Sequence, residues 1–225
     1  PPERHANSRG TPPRGGPGLG AGLGTAGAPL CPGARVPGVV LTGLELQPAY
    51  AALARQNAAA NGIAVEVVEG DVAAPPAALA GRAFDHVLMN PPYFDRARGT
   101  AAADRGREAA LGEAAPLSAW VATAARRLGP GGTLTTIQRA ERLPDLVAAC
   151  AGRLGSLTVL PVAPRTGRAA KLVIVAARKG GRGTFRLLAP LVLHAGDRHE
   201  GDADSYRPEV RAILRDGAAL PLGPR

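Results

Sequence analysis

The chain has 225 residues, which allows one ordinary domain and some excess for tails. Its net charge is +9, supplied almost entirely by arginine, which favours a polyanionic partner such as nucleic acid, although a merely basic protein is the alternative. No apolar stretch reaches membrane-spanning length, no signal peptide with a long apolar core is visible, and Cys31 and Cys150 are too few and too far apart to suggest a metal site or a disulfide. We therefore expect a cytoplasmic protein with no membrane or metal partner, and favour a monomer.

The N-terminal segment is rich in glycine and proline, with scattered arginine and no helical or strand period. Its composition predicts a disordered or loosely held arm over residues 1 to about 35. Ordered structure is expected to begin at Val36. Because the chain starts at Pro1 rather than methionine, we also expect the natural N-terminus to be missing or processed.

A glycine run lies within this arm and includes Gly20, Gly22 and Gly24. Such a run lets the backbone approach a cofactor closely when it follows a strand and opens a helix. Here no strand is predicted ahead of the run, and two prolines further along would break the helix that should follow. By itself the run is weak evidence for a cofactor loop, since a glycine-biased composition also accounts for it.

Two predicted strands are each followed by an acidic residue. Residues 38–44 lead into Glu45 and then into a predicted helix at residues 48–60, and residues 63–68 lead through a short turn into Asp71. A carboxylate at the end of the strand after a glycine loop is placed to bind the ribose hydroxyls of a nucleoside cofactor. An acid after the next strand can accept a hydrogen bond from an adenine amino group. Alternatively, both are solvated acids at strand ends.

The most informative stretch is a predicted buried strand at residues 84–89 that ends in Asn90-Pro91-Pro92-Tyr93. Each proline restricts the residue before it to an extended conformation, so the chain leaves the strand as a stiff segment. The carboxyl end of a parallel strand is where such sheets bind ligands. A planar amine or amide would be held there by the Asn90 side-chain oxygen and the Pro91 carbonyl, with the Tyr93 ring on its face. An ordinary strand-to-loop turn is the alternative.

The rest of the chain predicts the remaining elements of an α/β sheet. A long loop at residues 94–115 is expected to be functional or mobile, and it contains Arg96, Arg98, Arg105 and Arg107. Helices are predicted at residues 116–128, 143–154 and 206–215, strands at residues 133–138, 157–162, 171–177 and 184–188, and a sharp turn at residues 129–132. Two further loops, residues 163–168 and 178–183, are basic.

The order of these elements resembles that of class I S-adenosylmethionine-dependent methyltransferases, and Asn-Pro-Pro-Tyr marks the members that methylate planar nitrogens. Several segments are also similar to bacterial tRNA adenine-N6 methyltransferases: Arg139–Leu143, Ala177–Gly180, Leu191–His194 and Ala212–Arg215. The resemblance covers roughly residues 18–220, so it implies a disordered or truncated arm over residues 1–17, one methyltransferase domain over residues 18–220 and a tail over residues 221–225. It also implies an α/β, Rossmann-like sheet that is mostly parallel with an antiparallel C-terminal strand. The first strand and helix depart from the family pattern.

The resemblance also implies a role for each candidate residue. The cofactor would be S-adenosylmethionine, bound by Gly20, Gly22, Gly24, Glu45, Asp71, Val72 and Asn90. The catalytic group would be Asn90, Pro91, Pro92 and Tyr93. The substrate would be an adenine in the anticodon loop of a tRNA, where an unpaired base can be splayed out at little cost. Two alternatives stay open: a protein glutamine methyltransferase, and a non-catalytic RNA-binding protein on an altered methyltransferase fold.

Overall fold

The structure is a computed structural model that describes residues 17–21 (backbone only), 38–92, 115–196, 205–220 and 222. Seven candidate functional residues singled out from the sequence lie outside this described part: Gly22, Gly24, Tyr93, Arg96, Arg98, Arg105 and Arg107.

The described residues form a nine-stranded sheet that is parallel in its first half. The strands are β1 (Pro17–Ala21), β2 (Val40–Glu45), β3 (Val65–Glu69), β4 (Phe84–Met89), β5 (Leu128–Arg139), β6 (Gly155–Ala163), β7 (Leu172–Arg178), β8 (Arg186–Leu187) and β9 (Leu191–Val192). Their order across the sheet is β3-β2-β1-β4-β5-β7-β6-β8, with β9 beside β6. Strand β7 runs antiparallel to both β5 and β6. The predicted Rossmann-like sheet with an antiparallel strand is confirmed.

The first strand corrects the prediction that ordered structure begins at Val36. Strand β1 occupies the centre of the sheet and pairs in parallel with β2 on one side and β4 on the other. Gly20, predicted to lie in a loop, is the penultimate residue of this strand and is level with Gly43 and Leu88. The backbone of Pro17–Ala21 gains ladder hydrogen bonds from two neighbours, and this tertiary pairing overrides the weak strand propensity of glycine and proline.

Four α-helices accompany the sheet in the described ranges: α1 (Pro48–Ala60), α2 (Leu117–Arg127), α3 (Leu143–Cys150) and α4 (Pro208–Asp216), with short 3₁₀ turns at Ala77–Leu79 and Ala140–Arg142. Pro48 begins α1 as predicted, because proline at the first helical position sacrifices no intrahelical hydrogen bond. Helix α3 ends earlier than predicted. The backbone leaves the helical conformation at Ala151 (φ −55°, ψ 133°), and Gly152 then adopts a left-handed conformation (φ 70°) that continues the turn.

The sequence Gly129-Pro130-Gly131-Gly132 is not a turn before β5, as predicted, but a bulge inside it. Phe84 of β4 pairs with Leu128, whereas His86, two residues on, pairs with Thr133. Gly131 takes a left-handed conformation (φ 75°), and its N–H and carbonyl bond to the Lys179 carbonyl and the Arg178 guanidinium. These contacts from the end of β7 keep the bulge within the sheet.

The main core lies where α2 and α3 pack on the strands. Leu117, Val121 and Ala124 of α2 are buried together, and Trp120 packs against the same core. Cys150 at the end of α3 is fully buried, and this burial raises the pKa of its thiol to about 11, so it is a core residue with an unreactive thiol. No helix in the described ranges is long and apolar enough to cross a membrane.

Candidate active site

The candidate site lies where the order of the strands reverses. From β1 the chain builds β2 and β3 on one side, while β4 and β5 lie on the other. Ligands bind to open α/β sheets in the crevice at this switch point, outside the carboxyl ends of the strands. Ala21 at the end of β1 is level with Leu44 and Met89. Glu45 follows Leu44, and Asn90 follows Met89. These two residues therefore flank the end of β1, with their backbones about 10 Å apart.

Glu45 is a buried carboxylate with acceptor capacity to spare. The residue is 8% exposed, and one side-chain oxygen accepts the Gln47 backbone N–H at 2.9 Å. Burial raises the pKa of the carboxyl above its ordinary value of 4.5, although the N–H groups of Gln47 and Leu46 offset part of the rise. Glu45 makes no ion pair with a cation in the described ranges. A buried carboxylate with no cation has the chemistry to accept hydroxyl hydrogens, which fits a ribose diol.

The segment after β3 is tied directly to Glu45. The Gly70 N–H donates to the Glu45 carbonyl at 2.9 Å, which brings the adjacent Asp71 to the same edge. Gly70 must be glycine because a Cβ there would lie 2.8 Å from Pro76 Cδ. One oxygen of Asp71 accepts the Ala73 N–H at 2.8 Å and shapes the local turn.

Val72 is anchored from the helical layer. It is buried in the core, and its carbonyl accepts the Thr123 hydroxyl of α2 at 2.8 Å. The backbone at the end of β3 is therefore held by both β2 and α2, so that Glu45, Asp71 and Val72 form one connected wall of the site.

Asn90, Pro91 and Pro92 form the other wall. The side chain of Asn90 is exposed and forms no hydrogen bond with another described residue, whereas Pro91 is buried. An exposed amide on a rigid stem is free to bind a ligand. The two prolines lack N–H groups, and their carbonyls leave the sheet ladder, so they need donors from elsewhere.

Gln138, which the sequence did not indicate, supplies those donors. It is fully buried near the end of β5, and its Nε2 donates to the Pro91 carbonyl at 3.4 Å and the Pro92 carbonyl at 3.3 Å. Its Oε1 accepts the Arg139 N–H at 2.8 Å. A glutamine at a buried position of a strand indicates such a role. The sequence does not identify its partners, however, because Pro91 and Pro92 lie more than forty residues away along the chain. Each carbonyl keeps one lone pair for another donor.

Among the described residues no group of three or more His, Cys, Asp or Glu side chains could hold a metal ion. The candidate site consists of a carboxylate wall (Glu45, Asp71 and Val72) and an amide wall (Asn90, Pro91 and Pro92) on either side of β1.

Comparison with known proteins identifies the family of the chain. The model of the methyltransferase small domain family matches residues 16–149. The chain is 33% identical over 133 residues to a tRNA1(Val) (adenine(37)-N6)-methyltransferase from Porphyromonas gingivalis, covering 57% of this chain and 51% of that protein. It is 35% identical over 140 residues to a release factor glutamine methyltransferase from Deinococcus radiodurans, covering 58% and 48%. The chain thus spans about half the length of these relatives.

Two solved structures extend the comparison. The crystal structure of a predicted O-methyltransferase from Agrobacterium tumefaciens is 28% identical and superposes with a TM-score of 0.73, covering 92% of both chains. A Thermus thermophilus 16S rRNA N2 G1207 methyltransferase in complex with AdoMet and guanosine is 25% identical, with a TM-score of 0.52 over 74% of this chain and 38% of that one. With the family model matching more than half of the chain, this protein belongs to the methyltransferase small domain family of class I methyltransferases, whose cofactor is S-adenosylmethionine.

Proposed function

We propose that the protein methylates the N6 amino group of an adenine in tRNA. The observation that carries the proposal is the exposed Asn90 amide on its rigid Pro91-Pro92 stem, across the end of β1 from the buried Glu45 carboxylate. The Asn90 amide oxygen and a neighbouring backbone carbonyl can accept hydrogen bonds from the two N–H groups of a planar amine. The similarity to the Porphyromonas gingivalis tRNA enzyme and the net charge of +9 support RNA as the carrier of that amine.

S-adenosylmethionine supplies an electrophilic methyl group when bound. Glu45 would accept hydrogen bonds from the ribose hydroxyls, and Asp71 with Val72 would line the adenine side. Gly20, at the end of β1, and the predicted contacts Gly22 and Gly24 would line the methionine part.

On the other wall, the Asn90 oxygen and the free lone pair of the Pro91 carbonyl accept the two amine hydrogens. The nitrogen lone pair would thereby be directed at the methyl group, and Tyr93 would stack on the base. Transfer would form the nitrogen–methyl bond as the methyl–sulfur bond breaks, with S-adenosylhomocysteine as the leaving group, and the nitrogen would then lose its extra proton to water. No strong base is needed, because positioning and electrostatic stabilisation lower the barrier.

A second candidate function uses the same residues on a glutamine side-chain amide of a release factor, and the Deinococcus radiodurans relative favours it. The two functions are separated by incubating the protein and radiolabelled S-adenosylmethionine with tRNA or with a release factor. We expect label in RNA and N6-methyladenosine among the digested nucleosides. Label in the release factor, with unlabelled RNA, would overturn the tRNA assignment in favour of the glutamine amide.

Gln138 is proposed as a positioning residue for the amide wall. Gln138→Leu keeps the side-chain size but removes the donors for the Pro91 and Pro92 carbonyls. We expect kcat for methyl transfer to fall about 10- to 100-fold, since small misplacements of reacting groups have effects of this size. Affinity for S-adenosylmethionine, measured by calorimetry, should stay unchanged.

Gln138→Glu separates positioning from a general loss of stability. An ionised carboxylate has no donor for the two carbonyls, but a protonated one has a single O–H. The activity of Gln138→Glu relative to wild type should therefore rise as the pH is lowered, while the relative activity of Gln138→Leu stays flat. Parallel pH profiles for the two variants would contradict the positioning role.

A further inference from the structure

The two basic loops around β7 lie at opposite edges of the sheet. Residues 164–171, here called the acceptor-edge loop, connect β6 to β7; residues 179–185 connect β7 to β8. Leu172, at the start of β7, pairs with Arg139 at the end of β5 and with Val162 of β6. The acceptor-edge loop therefore lies at the same edge of the sheet as Asn90. The second loop lies at the far edge, where the Lys179 carbonyl bonds to the Gly131 N–H.

The acceptor-edge loop is close to the amide wall. Gln138 contacts Pro91 and Pro92, and two residues further along, the Ala140 N–H donates to the Lys171 carbonyl at 3.0 Å. In the sheet order, β7 is two strands from β4 and β6 is three strands away. At the usual strand spacing the loop begins about 10 to 15 Å to the side of the amide wall. This offset is too large for contact with the reacting base but suits contacts with the backbone of the same RNA.

The cations of this loop are not equivalent. The Arg165 guanidinium donates to the carbonyls of Ala195 and Gly196, so it holds the segment after β9 in place. Arg168 and Lys171 are exposed, and their side chains have no partner in the described ranges. The loop contains no acidic residue. Two exposed cations that have no partner among the described residues thus lie at the edge of the sheet that carries the candidate site.

We propose that Arg168 and Lys171 bind phosphates of the RNA backbone beside the target nucleotide. The inference rests on the proposed tRNA substrate and adds to it the surface that positions that substrate. Phosphate contacts fix the register of a nucleic acid without reading its sequence. These two residues would therefore orient the target strand, while the amide wall recognises the amine.

The test compares Arg168→Gln, Lys171→Gln and the double variant with Arg182→Gln. Arg182 lies in the loop at residues 179–185, at the opposite edge of the sheet from Asn90. It is exposed and has no side-chain partner in the described ranges, so Arg182→Gln removes one positive charge away from the candidate site. Dissociation constants for tRNA are measured by fluorescence anisotropy over a series of salt concentrations, with S-adenosylhomocysteine present. Methyl transfer to tRNA and calorimetric affinity for S-adenosylmethionine are measured on the same proteins.

We expect each acceptor-edge variant to bind tRNA about 3- to 10-fold more weakly, and the slope of log K against log salt to become shallower by about 0.7 for each phosphate that is no longer neutralised. Cofactor affinity should be unchanged, and Arg182→Gln should match wild type. If wild type methylates tRNA but the acceptor-edge variants bind no differently from Arg182→Gln, the surface is wrong and the proposed function stands. If wild type neither binds nor methylates tRNA, both fail.

Discussion

Replacing Asn90 by alanine is expected to abolish methyl transfer almost completely. The variant removes the side-chain acceptor that would orient the target amine, and loss of one such preorganised hydrogen-bonding group typically lowers kcat about 100- to 1,000-fold. The affinity for S-adenosylmethionine should be nearly unchanged, because the proposed ribose contact lies on the other side of β1. Single-turnover transfer of labelled methyl to tRNA measures the rate of methyl transfer, and calorimetry measures the affinity for S-adenosylmethionine.

Asp85→Ala provides the matched control for Asn90→Ala. Asp85 is also exposed, but it lies near the start of β4, whereas Asn90 directly follows the end of that strand. Since the Asn90 side chain has no hydrogen bond within the described part of the chain, neither substitution should change the free energy of unfolding by more than about 0.5 kcal/mol. Wild-type turnover by Asn90→Ala would remove the basis for the proposed acceptor site.

Glu45→Gln is expected to weaken binding of S-adenosylmethionine about 10- to 150-fold. Hydrogen bonds to a charged group are worth about 1.5 to 3 kcal/mol, and an amide oxygen replaces the carboxylate as the acceptor for the ribose. Glu69→Gln is the control. Glu69 is level with Glu45 on the neighbouring strand, but it is exposed and paired with Arg55 at 2.9 Å. Calorimetric titration of both variants measures the difference, and equal affinities would contradict the role of Glu45.

In the absence of cofactor, Glu45→Gln should be at least as stable as wild type at pH 7. Burial raises the folded-state pKa of Glu45, so its favourable contribution to stability is fully present below pH 4.5 and is lost as the pH rises through the raised pKa. At pH 7 the ionised carboxylate therefore opposes folding. Glu45→Gln should unfold at the same or a higher temperature than wild type at pH 7, and the difference should vanish below about pH 4.

Cofactor binding by wild type should show the matching pH dependence. As the pH falls through the raised pKa, the carboxyl becomes protonated and a poorer acceptor, so affinity for S-adenosylmethionine should fall.

A large drop in the melting temperature of Glu45→Gln at pH 7, with cofactor affinity retained, would instead indicate a structural carboxylate.

The elements that could be predicted from the sequence are those determined by neighbouring residues. The buried strand that stops at Asn90 follows from an apolar run and two prolines, and the start of α1 follows from Pro48. The position of the acids also follows locally, because Glu45 and Asp71 lie at or just after the ends of their strands. Parallel strands then bring such ends to one edge by the nature of the sheet.

Long-range pairing decided what the sequence could not. Pro17–Ala21 is a strand because β2 and β4 supply hydrogen bonds from both sides, and glycine has too little intrinsic preference to predict this. Gln138 could not be recognised as a clamp on Pro91 and Pro92, since register alone brings them together. The two basic loops look alike in sequence, and the antiparallel direction of β7 is what places them at opposite edges of the sheet.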